Sequence, residues 1–210
     1  MLKKQLLTLF SIILCSHVII AQDCLQTGLS DNFNFRIITI KGLNEDSLVH
    51  TIKLELLIID KIKNVEVQKI EFNAEETFDA DFDDCSNIRS YVTGLNETDE
   101  APDNDYGDFI VADFNFDDKE DFAIKKYWAG GSSGPVYNYY IQDRAGKFVK
   151  DSYLSEEVEF FPSKFDKKRT SLQVIVPVGA CSIAKHVYSF NTRINKWKEK
   201  SHRLKSYCKK

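Results

Sequence analysis

The sequence predicts an all-β domain of antiparallel meanders, arranged as a sandwich or in a propeller-like way. Three observations carry that expectation. Runs rich in Val, Ile, Phe and Tyr recur along most of the chain. Turn residues separate most of them. No stretch of useful length shows the 3.6-residue period of an amphipathic helix. β-Branched and aromatic side chains fit a pleated, half-buried surface, so such runs favour strands.

In chain order, NFRIITI (34–40), IKLELLII (52–59) and VEVQKIEF (65–72) are partly alternating strands. DFIVADF (108–114) ends at an acidic loop, and DFAIKKYW (121–128) leaves it. VYNYYIQ (136–142), the turn DRAG and KFVKD form a hairpin. SLQVIVPV (171–178) is a further strand, and KHVYSF, NTRIN and KWKEK make a closing hairpin. Residues 73–107 differ: they are polar, acidic and turn-rich, and read as a long loop or insertion.

The chain opens with a charged MLKKQ, a short apolar run LLTLFSIILCSHVII, and AQ. That order is the signature of a secretory signal peptide over residues 1–21, cleaved after Ala21. The apolar run is short for a membrane span, and the competing reading is an uncleaved anchor. Leu14 precedes Cys15, where a lipoprotein site would carry a small residue. Residues 22–210 then form a single β-rich domain, long enough to bury a core.

Four cysteines remain after cleavage: Cys24, Cys85, Cys181 and Cys208. An even number in an oxidising compartment favours two disulfides. Three pairings are open. Cys181 and Cys208 bracket the closing hairpin, which favours that pair and leaves Cys24 with Cys85. The spacing is too wide for a zinc site, and no C-x-x-C occurs.

The formal net charge is −4, and loss of Lys3 and Lys4 with the signal brings it near −6. The charge is split along the chain. Residues 71–121 hold eighteen acids against Arg89 and Lys119, whereas residues 164–210 hold thirteen Lys/Arg against Asp166 and Glu199. Such asymmetry points to charged partners or a bound cation, or to two halves that face each other. The basic tail carries no nucleic-acid motif, which disfavours that partner.

DFNFDDKED (113–121) is the densest acidic stretch. Asp113, Asn115, Asp117 and Asp121 fall at positions 1, 3, 5 and 9 of a D-x-N-x-D-x-x-x-D pattern, and Lys119 at position 7 can offer its carbonyl. Hard oxygen ligands at this spacing suit a structural Ca²⁺. The cation would cancel the repulsion of the loop, while Phe114 and Phe116, alternating with the ligands, would pin it to the core. Position 12 is Ile124 and a strand follows, so the loop is not an EF-hand. It is closer to the calcium loops between strands of propeller-type repeats. Position 6 is Asp118, which tolerates a left-handed backbone less well than Gly. DADFDD (79–84) and DNDYGD (103–108) lack the full spacing and read as solvated acidic loops.

YWAGGSSGPVYNYY (127–140) is the second stretch of interest. Its glycines permit unusual dihedrals and close approach to another surface. Gly130 to Gly134 formally matches G-x-S-x-G, but Pro135 and a tyrosine-rich strand stand where a nucleophile elbow needs a helix. His186 and His202 have no spacing that ties them to it. No nucleophile, metal-hydrolase motif or cofactor loop is complete, so a non-enzyme is expected.

From VADFNFDDKEDFAI through GGSSGPVYNYYIQDRAGKFVKDSYLSE, PSKFD and VYSFNTRINKWK, residues 108–200 resemble a family of bacterial periplasmic inhibitors of peptidoglycan hydrolases. That family includes immunity proteins against lysozyme-like effectors and is related to inhibitors of invertebrate-type lysozyme. The resemblance implies a periplasmic or secreted protein that inserts a Ser-Gly-x-x-Tyr loop into a hydrolase cleft. Carried onto SGPVY, it makes Tyr137 the plug, Ser133 a hydrogen-bond donor to catalytic carboxylates, and Gly134 the residue that allows close approach. The reading from a different class is a structural or envelope interaction module with the same calcium loop and its ligand site elsewhere.

Overall fold

The computed structural model describes residues 20–43, 49–73, 82, 84–93, 105–129 and 133–208. Within them the chain lays down three sheets, one after another. The first is the meander β1 (Ile20–Gln26), β2 (Phe33–Leu43), β3 (Val49–Asp60) and β4 (Val65–Asn73). The middle sheet is β5 (Ser90–Val92), β6 (Phe109–Ala112), β7 (Asp121–Trp128), β8 (Pro135–Gln142) and β9 (Phe148–Lys150). The third is β10 (Lys164–Asp166), β11 (Ser171–Pro177), β12 (Ser182–Asn191) and β13 (Lys196–Ser206). Every neighbouring pair is antiparallel except β5 with β6. The expected all-β meanders are therefore present, with one parallel edge strand.

The sheets stack as three layers with two cores between them. Period-two alternation explains how one middle sheet serves both. On β6, Phe109 and Val111 enter the core shared with the first sheet, while Ile110 and Ala112 enter the core shared with the third. On β7, Phe122 and Ile124 alternate with Ala123 in the same way, and on β8 Tyr140 opposes Tyr137 and Tyr139. A strand buried on both faces has no solvent side and so reads as a continuous apolar run. The first core is aromatic at its centre: Phe122 stacks on Tyr140 at 4.8 Å, and Phe35 meets Phe109 at 5.0 Å. In the second, Phe114 meets Tyr139 edge-on at 5.0 Å and Phe190 meets Trp197 at 4.9 Å.

Three elements differ from expectation. The N-terminal strand β1 begins at Ile20, so cleavage after Ala21 would remove its first two residues; the rest of the predicted signal lies outside the described residues. The stretch 73–107 is not wholly loop, because Ser90–Val92 pairs with β6 and Ile88 joins the first core. A helical turn, Leu154–Val158, covers the third-sheet side of β8, and its Leu154 and Val158 are buried in the second core. Its five residues are too short to leave a periodic signature.

The disulfides are Cys24–Cys85 and Cys181–Cys208, the pairing that the closing hairpin favours. Their settings differ. Cys24 is 2% exposed within the first core, whereas Cys208 is exposed at the open end of the third sheet. Thiol attack requires access to a sulfur. Graded reduction followed by alkylation and mass spectrometry is expected to label Cys181 and Cys208 first. Loss of the Cys24–Cys85 bridge, which closes the longer loop of 61 residues, is expected to cost about 4 kcal/mol in urea unfolding.

Candidate functional site

The acidic loop joins β6 to β7 and is built by its own main chain. Phe116 (φ 62°) and Asp118 (φ 63°) adopt the left-handed conformation, so the chain curls tightly and its amides point inward. Asp113 accepts hydrogen bonds from the amides of Asp117 (3.0 Å) and Asp118 (3.0 Å). The Asn115 side-chain carbonyl accepts from the Asp117 amide at 3.1 Å, and Asp117 accepts from the Lys119 amide at 3.1 Å. Asp121 is fully buried: one oxygen accepts from Phe114 N–H (2.9 Å), the other from Gln142 N–H (2.8 Å). It thereby closes the loop and ties it to β8. Phe114 is buried in the second core and Phe116 packs against it, as their alternation with the acids implies.

Contacts from this loop reach all three sheets. Glu120 accepts from Ser30 Oγ (2.5 Å) and from the Asp31 amide (2.7 Å) in the β1–β2 turn. Asp118 pairs with Lys167 between β10 and β11, and Phe116 approaches Trp197 of β13 at 6.3 Å. Glu120 and Lys167 carry no motif and were not legible as part of a site. Only the fold brings their partners, about 90 and 49 residues away, to the loop.

The electrostatics are strained. Burial pushes the Asp121 carboxyl up to about 8, and the charges of Asp117 and Asp113 push the same way, against the pull of the Gln142 and Phe114 amides. Asp113 is raised as well, first by burial, with the Asp117 charge adding to it. Lys119 spends its ammonium on the Asp143 carbonyl at 2.9 Å and stands 3.8 Å from Asp117. Among the described residues no group of three or more His, Cys, Asp or Glu side chains meets in metal-binding geometry. The oxygen set expected from the sequence is broader than those types, since it includes Asn115 and the Lys119 carbonyl. Each carboxylate oxygen that accepts one amide keeps a second lone pair, so the donor chemistry fits a hard cation. Beside the loop opens a cleft of about 950 Å³ bordered by Asp117, Arg144, Tyr153, Arg193 and Trp197.

The glycine loop lies at the opposite end of the middle sheet. Eight residues of β7 separate the two loops, a strand length of roughly 25 Å. The acidic loop therefore does not brace the glycine loop directly. The Ala129 amide donates to the Gly134 carbonyl at 3.0 Å and closes the neck. Gly134 has φ 86°, which favours glycine there. Ser133 is half-buried and Gly134 buried; residues 130–132 lie outside the described set.

Tyr137 is not at the loop surface. It is fully buried, its hydroxyl donates to the Gly107 carbonyl (2.9 Å), and its amide donates to the Glu159 carbonyl (2.9 Å). Its ring packs 5.4 Å from Phe161. The reason is parity: Tyr137 and Tyr139 share the β8 face that fills the second core. In this conformation Tyr137 supports the strand that carries the loop and cannot act as an inserted plug.

Beneath this end lies an ion cluster. Lys125, 1% exposed, sits 2.6 Å from Asp108 and 2.9 Å from Asp105. Arg89 reaches the same two carboxylates at 2.7 and 2.8 Å. Residues 105–108 of DNDYGD are thus not a solvated loop, because Asp108 is fully buried and Asp105 half-buried; residues 103 and 104 lie outside the described set. Gly107 between them has φ 143°, and a Cβ there would stand 2.6 Å from the Tyr91 ring. In DADFDD, Phe82 is buried in the first core and Asp84 caps the turn at Ser86; residues 79–81 and 83 lie outside the described set. His186 and His202 stack on each other at 4.4 Å in the third sheet, where His186 meets Glu199 at 2.8 Å.

No family model and no curated protein matches the sequence. A solved structure described as that of a Xanthomonas type IV secretion system related protein is similar in fold. It aligns with a TM-score of 0.54 at 15% identity, over 89% of this chain and 82% of that one. At that identity the likeness concerns the fold alone.

Two substitutions separate support from contact. Tyr137→Ala is expected to cost about 3–5 kcal/mol in urea unfolding, as for other large-to-small changes in a core, whereas Tyr137→Phe loses one hydrogen bond, about 1 kcal/mol. Lys125→Ala leaves Asp108 buried with Arg89 alone and is expected to cost about 3 kcal/mol or more. Wild-type stability in Tyr137→Ala would contradict the buried placement.

Proposed function

We propose that the protein is an exported, non-enzymatic binding protein of the bacterial envelope. Ca²⁺ held by Asp113, Asn115, Asp117, the Lys119 carbonyl and Asp121 stabilises it, and the glycine loop engages a lysozyme-like peptidoglycan hydrolase. The observation that carries this reading is the setting of that loop. Its described flanks, Ala129 and Ser133, stand at the end of a sheet buried on both faces, with a hydrogen-bonded neck and a charged cluster beneath. Flanks held in place in advance lose less entropy on binding. Two disulfides fit an oxidising compartment. In this reading the half-buried Ser133 makes the contact, the buried Gly134 shapes the turn beside it, and Tyr137 acts from below.

The cleft beside the acidic loop favours a second reading. A concavity of about 950 Å³ edged by Tyr153 and Trp197 could hold the partner instead, making the protein an interaction module without hydrolase inhibition.

Titration of the purified protein with calcium into chicken-, goose- and invertebrate-type lysozymes tests the first reading. Stoichiometric inhibition is expected, lost in Ser133→Trp with unchanged melting and retained in Tyr137→Phe. No inhibition of any of the three enzymes would move the interaction module to first place.

Calcium is tested separately by melting with and without chelator. Saturation at about 100 times Kd stabilises by about 2.7 kcal/mol, and a shift of about 5–10 °C is expected for a domain of this size. The pH dependence has a definite sign. Without cation, native Asp121 holds its proton up to about 8, while the unfolded group ionises near pH 4. The native state then binds the extra proton, so stability should fall as pH rises from about 4 to about 8. Calcium should suppress that fall; an identical pH profile with chelator and with calcium would contradict the assignment.

A further inference from the structure

The two outer faces of the three-layer stack carry their charges differently. On the first sheet the outward charges cancel within the sheet: Lys53 and Lys69 each bridge Glu55 and Glu71 at 2.8–2.9 Å. Among the described residues, the outward face of the third sheet has no such grid. Lys164, Arg169, Lys185 and Arg203 are exposed around a groove of about 360 Å³. Lys185 and Arg203 stand directly opposite each other on β12 and β13. The acid lining the groove is Asp166, which already accepts from the Arg169 amide at 3.1 Å and lies 3.9 Å from its guanidinium.

Between the cations the groove is polar. Ser171 and Gln173 of β11 and Ser201 of β13 line it, with the partly buried Val187 as its apolar part; the Gln173 amide also donates to Ser163 Oγ at 3.3 Å. Arg169 has Asp166 beside it, but Lys164, Lys185 and Arg203 have no carboxylate partner among the described residues; like charges so placed repel one another, and an anion set among them relieves that repulsion. The hydroxyls and amide call for a ligand that also brings hydroxyls. A lipid surface would instead want protruding apolar anchors, and a nucleic acid would want aromatic platforms for its bases; the groove lining has neither. The volume lies within the range of small-ligand sites, about 300–1,000 Å³.

We propose that this groove binds an acidic saccharide: a carboxylate-bearing sugar unit, free or within an envelope glycan. The carboxylate sits between Lys185 and Arg203, with Lys164 and Arg169 flanking, and the sugar hydroxyls meet Ser171, Gln173 and Ser201. The site is on the third sheet and does not depend on the glycine loop or on calcium.

The test uses the whole exported chain and fluorescently labelled oligogalacturonate, with its neutral methyl ester and phosphatidylglycerol vesicles as comparisons. Expected is saturable binding to oligogalacturonate that weakens as salt is raised, and no binding to the ester. Lys185→Gln/Arg203→Gln should weaken it about tenfold or more at unchanged melting temperature. Lys53→Gln/Lys69→Gln on the opposite face should leave it unchanged. The proposal is overturned by equal binding of the Lys185/Arg203 variant, by equal binding of the ester, by binding to vesicles in place of the oligosaccharide, or by no binding to the oligosaccharide at low salt.

Discussion

The middle sheet is covered on both faces, and the rest of the molecule follows from that constraint. Its strands can send apolar side chains either way, but any polar atom they bury must find a partner inside. For most of them the partners are on hand, the buried Asn138 Oδ1 of β8 being an exception among the described residues. Tyr137 donates to the Gly107 carbonyl, Tyr139 to the Phe160 carbonyl, Lys125 meets Asp108 and Asp105, and Asp121 accepts two main-chain amides. Residues that would be site candidates on an exposed strand are structural here. Among the described residues, the surfaces left open are the loop clusters at the sheet's two ends and the outer faces of the flanking sheets.

The acidic loop then has a structural role of its own. Asp121 ties it to β8, Glu120 to the β1–β2 turn, and Asp118 and Phe116 to the third sheet. Crowded carboxylates are costly beside a core, yet each either accepts main-chain amides or fastens the loop to another layer. A hard cation at the centre would lower the repulsion that remains between Asp113, Asp117 and Asp121. If a cation binds there, its binding would be coupled to stability at a loop that touches all three layers.

Much of the fold was legible because its signals are local. Long β-branched runs such as IKLELLII give strands, and DRAG and NTRIN give turns within one or two residues of where they fall. The disulfide pairing followed from a hairpin bracket. The acidic loop, its left-handed Asp118 and its inward phenylalanines were also legible, because their periodicity lies within nine residues. Long-range relations were not. Nothing near Asp108 or Asp105 in the sequence marks Lys125 and Arg89 as their partners, so their acids read as solvated. Tyr137 read as a surface anchor because a Ser-Gly-x-x-Tyr string does not say that its strand is covered on both sides. Strand β5 was hidden because three residues in a parallel edge pair carry almost no pattern.

The central claim is that the doubly covered middle sheet is the last part of the structure to open. Amide hydrogen exchange, resolved by strand, tests it most directly. The account requires the amides of β7 and β8 to exchange slowest, only through global unfolding, with β1, β10 and β13 exchanging sooner. Protection of the first or third sheet that outlasts β7 and β8 would contradict it.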